Sequence, residues 1–312
     1  MRTRRFFAWL PTALLLVATA ASAFEPDIHQ KYTQRGISLY KRCVQLGAAF
    51  PTVGDDDLNA VARGTEMEDT TEPISRATHW HYAHNEAMPR ELWILPPLFK
   101  FELDMDGIFG QRNADLHRLA AGSTPEWRRQ HFERAGRVLH YIQDMRVPGH
   151  VIPIHHGGPG GIKDGFDEFI FYYPDVLASL DRAHCESIAA TVKVPCRDCL
   201  LGRLDEAKKA TLNMLGQSAS APGEDLVARC WREVLWCKPE SGKECPGSAY
   251  PGFGAYLSGE NALSFGENRI VKCGDAKVQF DEVAYHRFFA KSYRGMMDDI
   301  LFMLLYAVRL AD

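Results

Sequence analysis

The run His140-Tyr-Ile-Gln-Asp144-Met-Arg-Val-Pro-Gly-His150 constrains this chain more than any other stretch. His140 and Asp144 are four residues apart, so on a helix they lie one above the other on the same face. Pro148 ends or kinks such a helix, and His150 leaves the bend close to the same region. A second i, i+4 pair, Asp164 and Glu168 in Asp-Gly-Phe-Asp-Glu-Phe, can open the following helix. Two imidazoles and three carboxylates in this spacing make a donor set suited to borderline metals such as Zn²⁺. An ordinary polar helix end accounts for any one of these residues, but not for all five.

The rest of the chain reads as helices around that motif. Ile37, Leu39, Tyr40 and Val44 repeat at helical spacing after His29, and Asp55 to Asp57 mark a solvated turn and a helix N-terminus, where negative charge is favourable. Residues 127–150 form an amphipathic pattern with Ala135, Val138, Leu139 and Ile142 on the apolar side, and 166–180, 201–215 and 225–236 also read as helical. The strongest pattern spans 280–310, with Phe288, Tyr293, Met297, Ile300, Met303 and Leu304 as its buried stripe. Asp298 and Asp299 interrupt it, which makes it a core helix and not a membrane anchor. Residues 93–109, broken by Pro96-Pro97, read as a core-facing loop and helix, with a lipid-facing segment as the alternative. Residues 246–268 read as loop. No alternating pattern is strong enough to predict a sheet, and Gly157 to Gly161 lacks the Lys-Ser/Thr and strand context of a phosphate loop. The expectation is an all-α fold, a single multi-helix domain with a disulfide-stapled, loop-rich second half.

The start of the chain predicts export to the periplasm or beyond. Met-Arg-Thr-Arg-Arg-Phe-Phe is basic, residues 8–20 are apolar, and Ala21-Ser22-Ala23 supplies a cleavage site, so residues 1–23 read as a signal peptide and 24–312 as the mature domain. The apolar run is too short for a membrane span. Arg4-Arg5 leaves the twin-arginine route open beside the ordinary one. Cleavage removes three arginines from a chain whose formal charge is already −4, so charge gives no case for a nucleic-acid partner. Eight cysteines, seven of them in the second half, predict disulfides in an oxidising compartment. Cys196-Arg-Asp-Cys199 resembles half a zinc knuckle or a redox motif, but no second Cys-x-x-Cys accompanies it.

The order His-x-x-x-Asp, Pro-x-His, then an acid four residues after another candidate ligand resembles the zinc-dependent phospholipase C family and the related single-strand-specific zinc nucleases. Glu68-Asp69 followed by His79-Trp80-His81-Tyr82 is similar to that family's Glu-Asp and His-Phe pattern, with His81 as the register alternative to His79 and His84 as a bystander. The resemblance implies three zinc ions per chain. One is held by Asp69, His79, His140 and Asp144. A second is held by the mature amino terminus at Phe24 and by His29, with Asp144 as bridge. The third is held by His150 and Glu168 with Asp164, where the family usually has His, or with His155 or His156 in its place. The nuclease branch begins with Trp, but the terminal amino and carbonyl groups do the binding, so Phe24 can serve.

By the same resemblance the protein is an exported phosphodiesterase, a phospholipase C acting on phosphatidylcholine or related lipids at a membrane or micelle surface. Diacylglycerol and a phosphorylated headgroup are its products, Asp69 is the catalytic base, and the protein is a monomer with no stable nucleic-acid partner. Thr70 stands where choline-specific members tend to have an aromatic residue, which leaves Trp80, Tyr82 and Glu25 as candidate headgroup contacts. Two alternatives remain. The Phe24–His29 spacing favours a single-strand nuclease, whereas the acidity and the 14-residue step from His150 to Asp164 favour the phospholipase. A zinc-bound protein without catalysis follows if Asp164 breaks the third site.

Overall fold

In the computed structural model the described residues are 26–70, 81–83, 91–94, 99–102, 104–118, 124–152, 173–216, 270–273, 276–279 and 282–312. Their elements run, in chain order, α1 (Pro26–Gln45), α2 (Asp55–Thr70), β1 (Glu91–Ile94), β2 (Phe99–Glu102), α3 (Met105–Arg118), α4 (Pro125–Asp144), α5 (Pro148–Val151), α6 (Pro174–Ala178), α7 (Arg182–Thr191), α8 (Arg197–Gly216), β3 (Ile270–Cys273), β4 (Ala276–Gln279) and α9 (Glu282–Ala311). The architecture is helical, as the periodicities predict. Two small antiparallel ribbons, β1–β2 and β3–β4, each of four-residue strands, are added to this architecture, which is otherwise all-α as expected. The sequence hid β1 and β2 because four residues on either side of Pro96-Pro97 are too few to establish an alternation.

The helix boundaries follow from local chemistry. Gly47 ends the turn after α1 in the left-handed region (φ 68°), and Gly47 N and Ala48 N donate to the carbonyls of Val44 and Cys43, so the last carbonyls of α1 are satisfied. Three aspartates open α2, the favourable end of the helix dipole. Thr124 caps α4 by accepting from Trp127 N at 3.1 Å, and Pro125 takes the first helical position, where its missing N–H costs nothing. Pro148 starts the single turn of α5 in the same way.

The core forms where α9 runs through the assembly, and residues 299–308 are buried without a break. It packs on α1, α4, α7 and α8. Asp299 sits inside this apolar helix because it holds two guanidiniums, Arg146 and Arg203, each at 2.5 Å. Ser292 Oγ donates to the Arg146 carbonyl at 2.8 Å, and Thr211 Oγ1 donates to that of Met145 at 2.8 Å. The end of α4 is therefore tied to both α8 and α9. Disulfides join Cys43 to Cys185 and Cys196 to Cys199, the first pinning α1 to α7. Among the described residues, no helix is long and apolar enough to cross a membrane. The predicted helix at 225–236 and the loop at 246–268 lie outside the described residues.

The most extensive pairing is between α2 and α4, and two glycines set its distance. A Cβ on Gly136 would stand 2.7 Å from Gly64 Cα and 2.8 Å from Thr65 N, and one on Gly64 would stand 2.9 Å from Gly136 Cα. With both absent, the two backbones touch. This contact brings the last turns of α2 against the face of α4 that carries His140 and Asp144.

Candidate metal centre

Six side chains from five segments converge there: His29 from α1, Asp69 from α2, His81 from the short segment 81–83, His140 and Asp144 from α4, and His150 from α5. All are buried, and His29, His140, Asp144 and His150 have no exposed surface. His29 Nε2 lies 3.3 Å from Asp144 Oδ1, and His140 Nε2 lies 3.4 Å from Asp144 Oδ2. His81 Nδ1 is 3.1 Å from Asp144 Oδ2 and 2.9 Å from His140 Nε2. Asp69 Oδ1 is 3.9 Å from His81 Nε2 and 4.0 Å from His140 Nε2. His150 Nδ1 is 3.9 Å from Asp144 Oδ1. The rings of His29 and His140 stack with centroids 3.9 Å apart.

A second set of groups fixes how these rings present their nitrogens. His140 Nδ1 donates to the Thr65 carbonyl at 2.8 Å. His150 Nδ1 donates to the His81 carbonyl at 2.9 Å, while Ala83 N donates back to the His150 carbonyl at 2.9 Å. His29 Nδ1 donates to Gln143 Oε1 at 2.6 Å. The Gln143 amide is itself oriented, because its nitrogen donates to Thr33 Oγ1 at 3.0 Å, and that hydroxyl donates to the His29 carbonyl at 2.9 Å. Three imidazoles are thus held with Nδ1 protonated, which leaves Nε2 as the ligating nitrogen, the usual arrangement around a metal.

The electrostatics calls for a cation. Asp144 is partnered among the described residues by imidazoles and by no lysine or arginine, and its Oδ1 makes no well-aligned hydrogen bond. Its pKa is well below the usual carboxylate range: burial opposes the charge, but the surrounding histidines outweigh it. Burial, reinforced by His29, depresses His140 to about 4, so at neutral pH its Nε2 is a lone pair facing a carboxylate. Burial also disfavours charge on His29 and His81, but hydrogen bonding and attraction to Asp144 raise both overall. Lone pairs directed at a buried anion repel unless a proton or a metal ion lies between them, and an all-N/O donor set suits a borderline divalent cation. Among the described residues, two overlapping groups meet the spacing for a common ion, His29–His140–Asp144 and Asp69–His81–His140.

Of the sequence-derived candidates, His29, Asp69, His140, Asp144 and His150 are in this cluster. His81, the register alternative, is there too, its ring stacked on Tyr141 with centroids 5.3 Å apart. Phe24, His79, Trp80, His84, His155, His156, Asp164 and Glu168 lie outside the described residues. Tyr82 stacks on His150 at 4.9 Å. Thr33, Thr65 and Gln143 had no signal in the sequence, because what marks them is contact with residues of other helices. Glu68, the first residue of the Glu68-Asp69 pair, is fully buried, where it holds Arg112 and Arg137 and accepts from Tyr141 Oη at 3.3 Å; that role had no signal in the sequence.

The buried His/Asp clusters can hold metal ions. Compared with known protein families, with curated proteins and with solved structures, the chain finds no match in any of the three.

Proposed function

We propose that this protein is an exported zinc-dependent phosphodiesterase of the phospholipase C type. The single observation that carries the reading is the fully buried Asp144 carboxylate, approached by the Nε2 atoms of His29 and His140 whose Nδ1 protons are spent elsewhere. His140 has one free nitrogen and so can serve one ion only: Asp69, His81, His140 and Asp144 would hold one zinc ion, and His29 with Asp144 another. His150, with Asp164 and Glu168, is assigned to a third on the resemblance described above. Bound zinc supplies Lewis acidity toward phosphate oxygens and lowers the pKa of water from about 15.7 towards 7.

The chain's own residues do the rest. Asp144 turns one carboxylate oxygen to His29 and the other to His81 and His140, so it would help to hold both ions. Asp69 orients the attacking water and accepts its proton. As the water oxygen bonds to phosphorus, the bond from phosphorus to the glycerol oxygen breaks, and the leaving alkoxide takes up a proton to give diacylglycerol. Thr65 and Gln143 hold His140 and His29 in the ligating tautomer throughout, and no covalent enzyme intermediate is needed.

The experiment is hydrolysis of phosphatidylcholine and of single-stranded DNA by purified protein, with and without chelator. The expected result is chelator-sensitive release of the phosphorylated headgroup. Chelator-sensitive cleavage of DNA instead would assign the nuclease branch, and a zinc-loaded protein inert to both would refute a catalytic role.

A further inference from the structure

A second group of charges lies between α3 and α4, where Arg112, Asp115, Arg134 and Arg137 line a cavity of about 80 Å³. Glu68 offsets part of their charge: it takes Arg112 through both carboxylate oxygens, at 2.5 and 3.1 Å, and Arg137 Nε at 2.6 Å. One anion therefore serves two cations. Arg134 adds a third guanidinium and spends one nitrogen on a neutral acceptor, the Asp115 carbonyl, at 3.2 Å. The Asp115 carboxylate is shared with Arg118 at 3.1 Å. Three guanidiniums thus line the cavity beside one lining carboxylate, that of Asp115.

The donors are also in excess. Among the described residues Arg137 bonds only Glu68, and Arg134 bonds only the Asp115 carbonyl, so most of their N–H groups remain for another acceptor. The Arg112 and Arg137 side chains are only 15% and 23% exposed, so water competes less than at an open surface. Planar guanidinium forks match tetrahedral oxyanions with paired, charge-assisted hydrogen bonds, and the cavity has room for one such group.

We propose that this cleft is a phosphate-binding site, built from guanidiniums and separate from the His/Asp cluster. Its ligand is a phosphate-type dianion, either free in solution or carried as a phosphomonoester on a lipid surface. The site does not depend on whether the cluster holds zinc.

The test titrates the purified full chain with inorganic phosphate by calorimetry, and with phosphatidylcholine vesicles containing phosphatidic acid by flotation. Chelator is present throughout, so that metal-held phosphate does not contribute, and circular dichroism checks the helix content. Arg134→Ala is the probe, since Arg134 supports no buried acid and its loss leaves Glu68 paired. Lys209→Ala, which removes one charge from the exposed side of α8, is the control. The expected result is saturable binding, weakened at least about tenfold by R134A and unchanged by K209A. Binding of free phosphate alone assigns a soluble ligand; binding of phosphatidic acid vesicles alone assigns a lipid one. If the wild-type chain binds neither, if R134A binds as tightly as wild type, or if K209A weakens binding equally, the proposal fails.

Discussion

Gly136→Ala should damage the metal centre without touching a ligand. The added Cβ would lie 2.7 Å from Gly64 Cα and 2.8 Å from Thr65 N, where ordinary contact begins at 3.4 Å. Closer still is the Val61 carbonyl oxygen; all three neighbours are backbone, so no rotamer change relieves the clash, and α2 and α4 must part by more than about 0.7 Å, as overpacked elements do. The alanine gains about 1 kcal/mol of helix propensity, set against an overpacking cost of about 1–3 kcal/mol, for a net loss of up to about 2 kcal/mol. The same shift lengthens the 2.8 Å bond from His140 Nδ1 to the Thr65 carbonyl to about 3.5 Å, past the useful limit. Losing such a supporting bond typically weakens metal binding about 10–100-fold. Zinc competition against a chromogenic chelator and urea unfolding would measure the two effects, with Gly202→Ala in α8 as control, since nothing lies within 4 Å of its added Cβ. If G136A binds zinc as tightly as wild type, the helix contact does not set the site.

Three further outcomes are expected. Asp144→Asn should lose metal and phosphodiesterase activity together, because a neutral amide is a poor bridge between cations, whereas His84→Ala should be nearly silent; metal analysis with turnover decides. Protein beginning at Phe24 should bind more zinc and turn over faster than protein with a few extra residues before it, since only a free α-amino group, with a pKa of about 7.7–8.0, can ligate; equal values would remove the terminus from the site. Burial lowers the pKa of His131 below its ordinary 6.5, so the unfolded chain takes up the proton first as pH falls. Its stabilising contribution is whole above about pH 6.5 and is lost as pH drops towards the folded value. The stability difference between metal-free wild type and His131→Gln should accordingly be larger at pH 8 than at pH 5 in urea unfolding, and a pH-independent difference would contradict it.

How much of this was legible depends on whether the signal is local. His140 and Asp144 share a helix face because 3.6-residue periodicity puts them there, and Pro148 announces the bend that turns His150 inward. The buried stripe of α9 was readable for the same reason. His79 and His81 are two residues apart in a stretch with no helical period, so nothing local chooses between them; His81 is held by a carbonyl bond to His150, far away in the chain. Gly64 and Gly136 look unremarkable singly, since their meaning is the mutual approach of two helices. The pairing of Cys43 with Cys185 is likewise a fact about where α1 and α7 meet, which no spacing encodes.

The anchoring of Arg146 on Asp299 has a consequence for the order of events during synthesis. All six side chains of the cluster have been added to the chain by residue 150, yet the turn that aims His150 is fastened to α9 through Asp299 and Ser292. At typical elongation rates of about 5–20 residues per second, α9 emerges many seconds after the last ligand. Through that interval the nascent chain carries all six side chains but lacks the strut that sets two of its segments. A metal ion held by this cluster would therefore be taken up only once α9 is in place, and a chain cut short before α9 would keep the six side chains without keeping their arrangement.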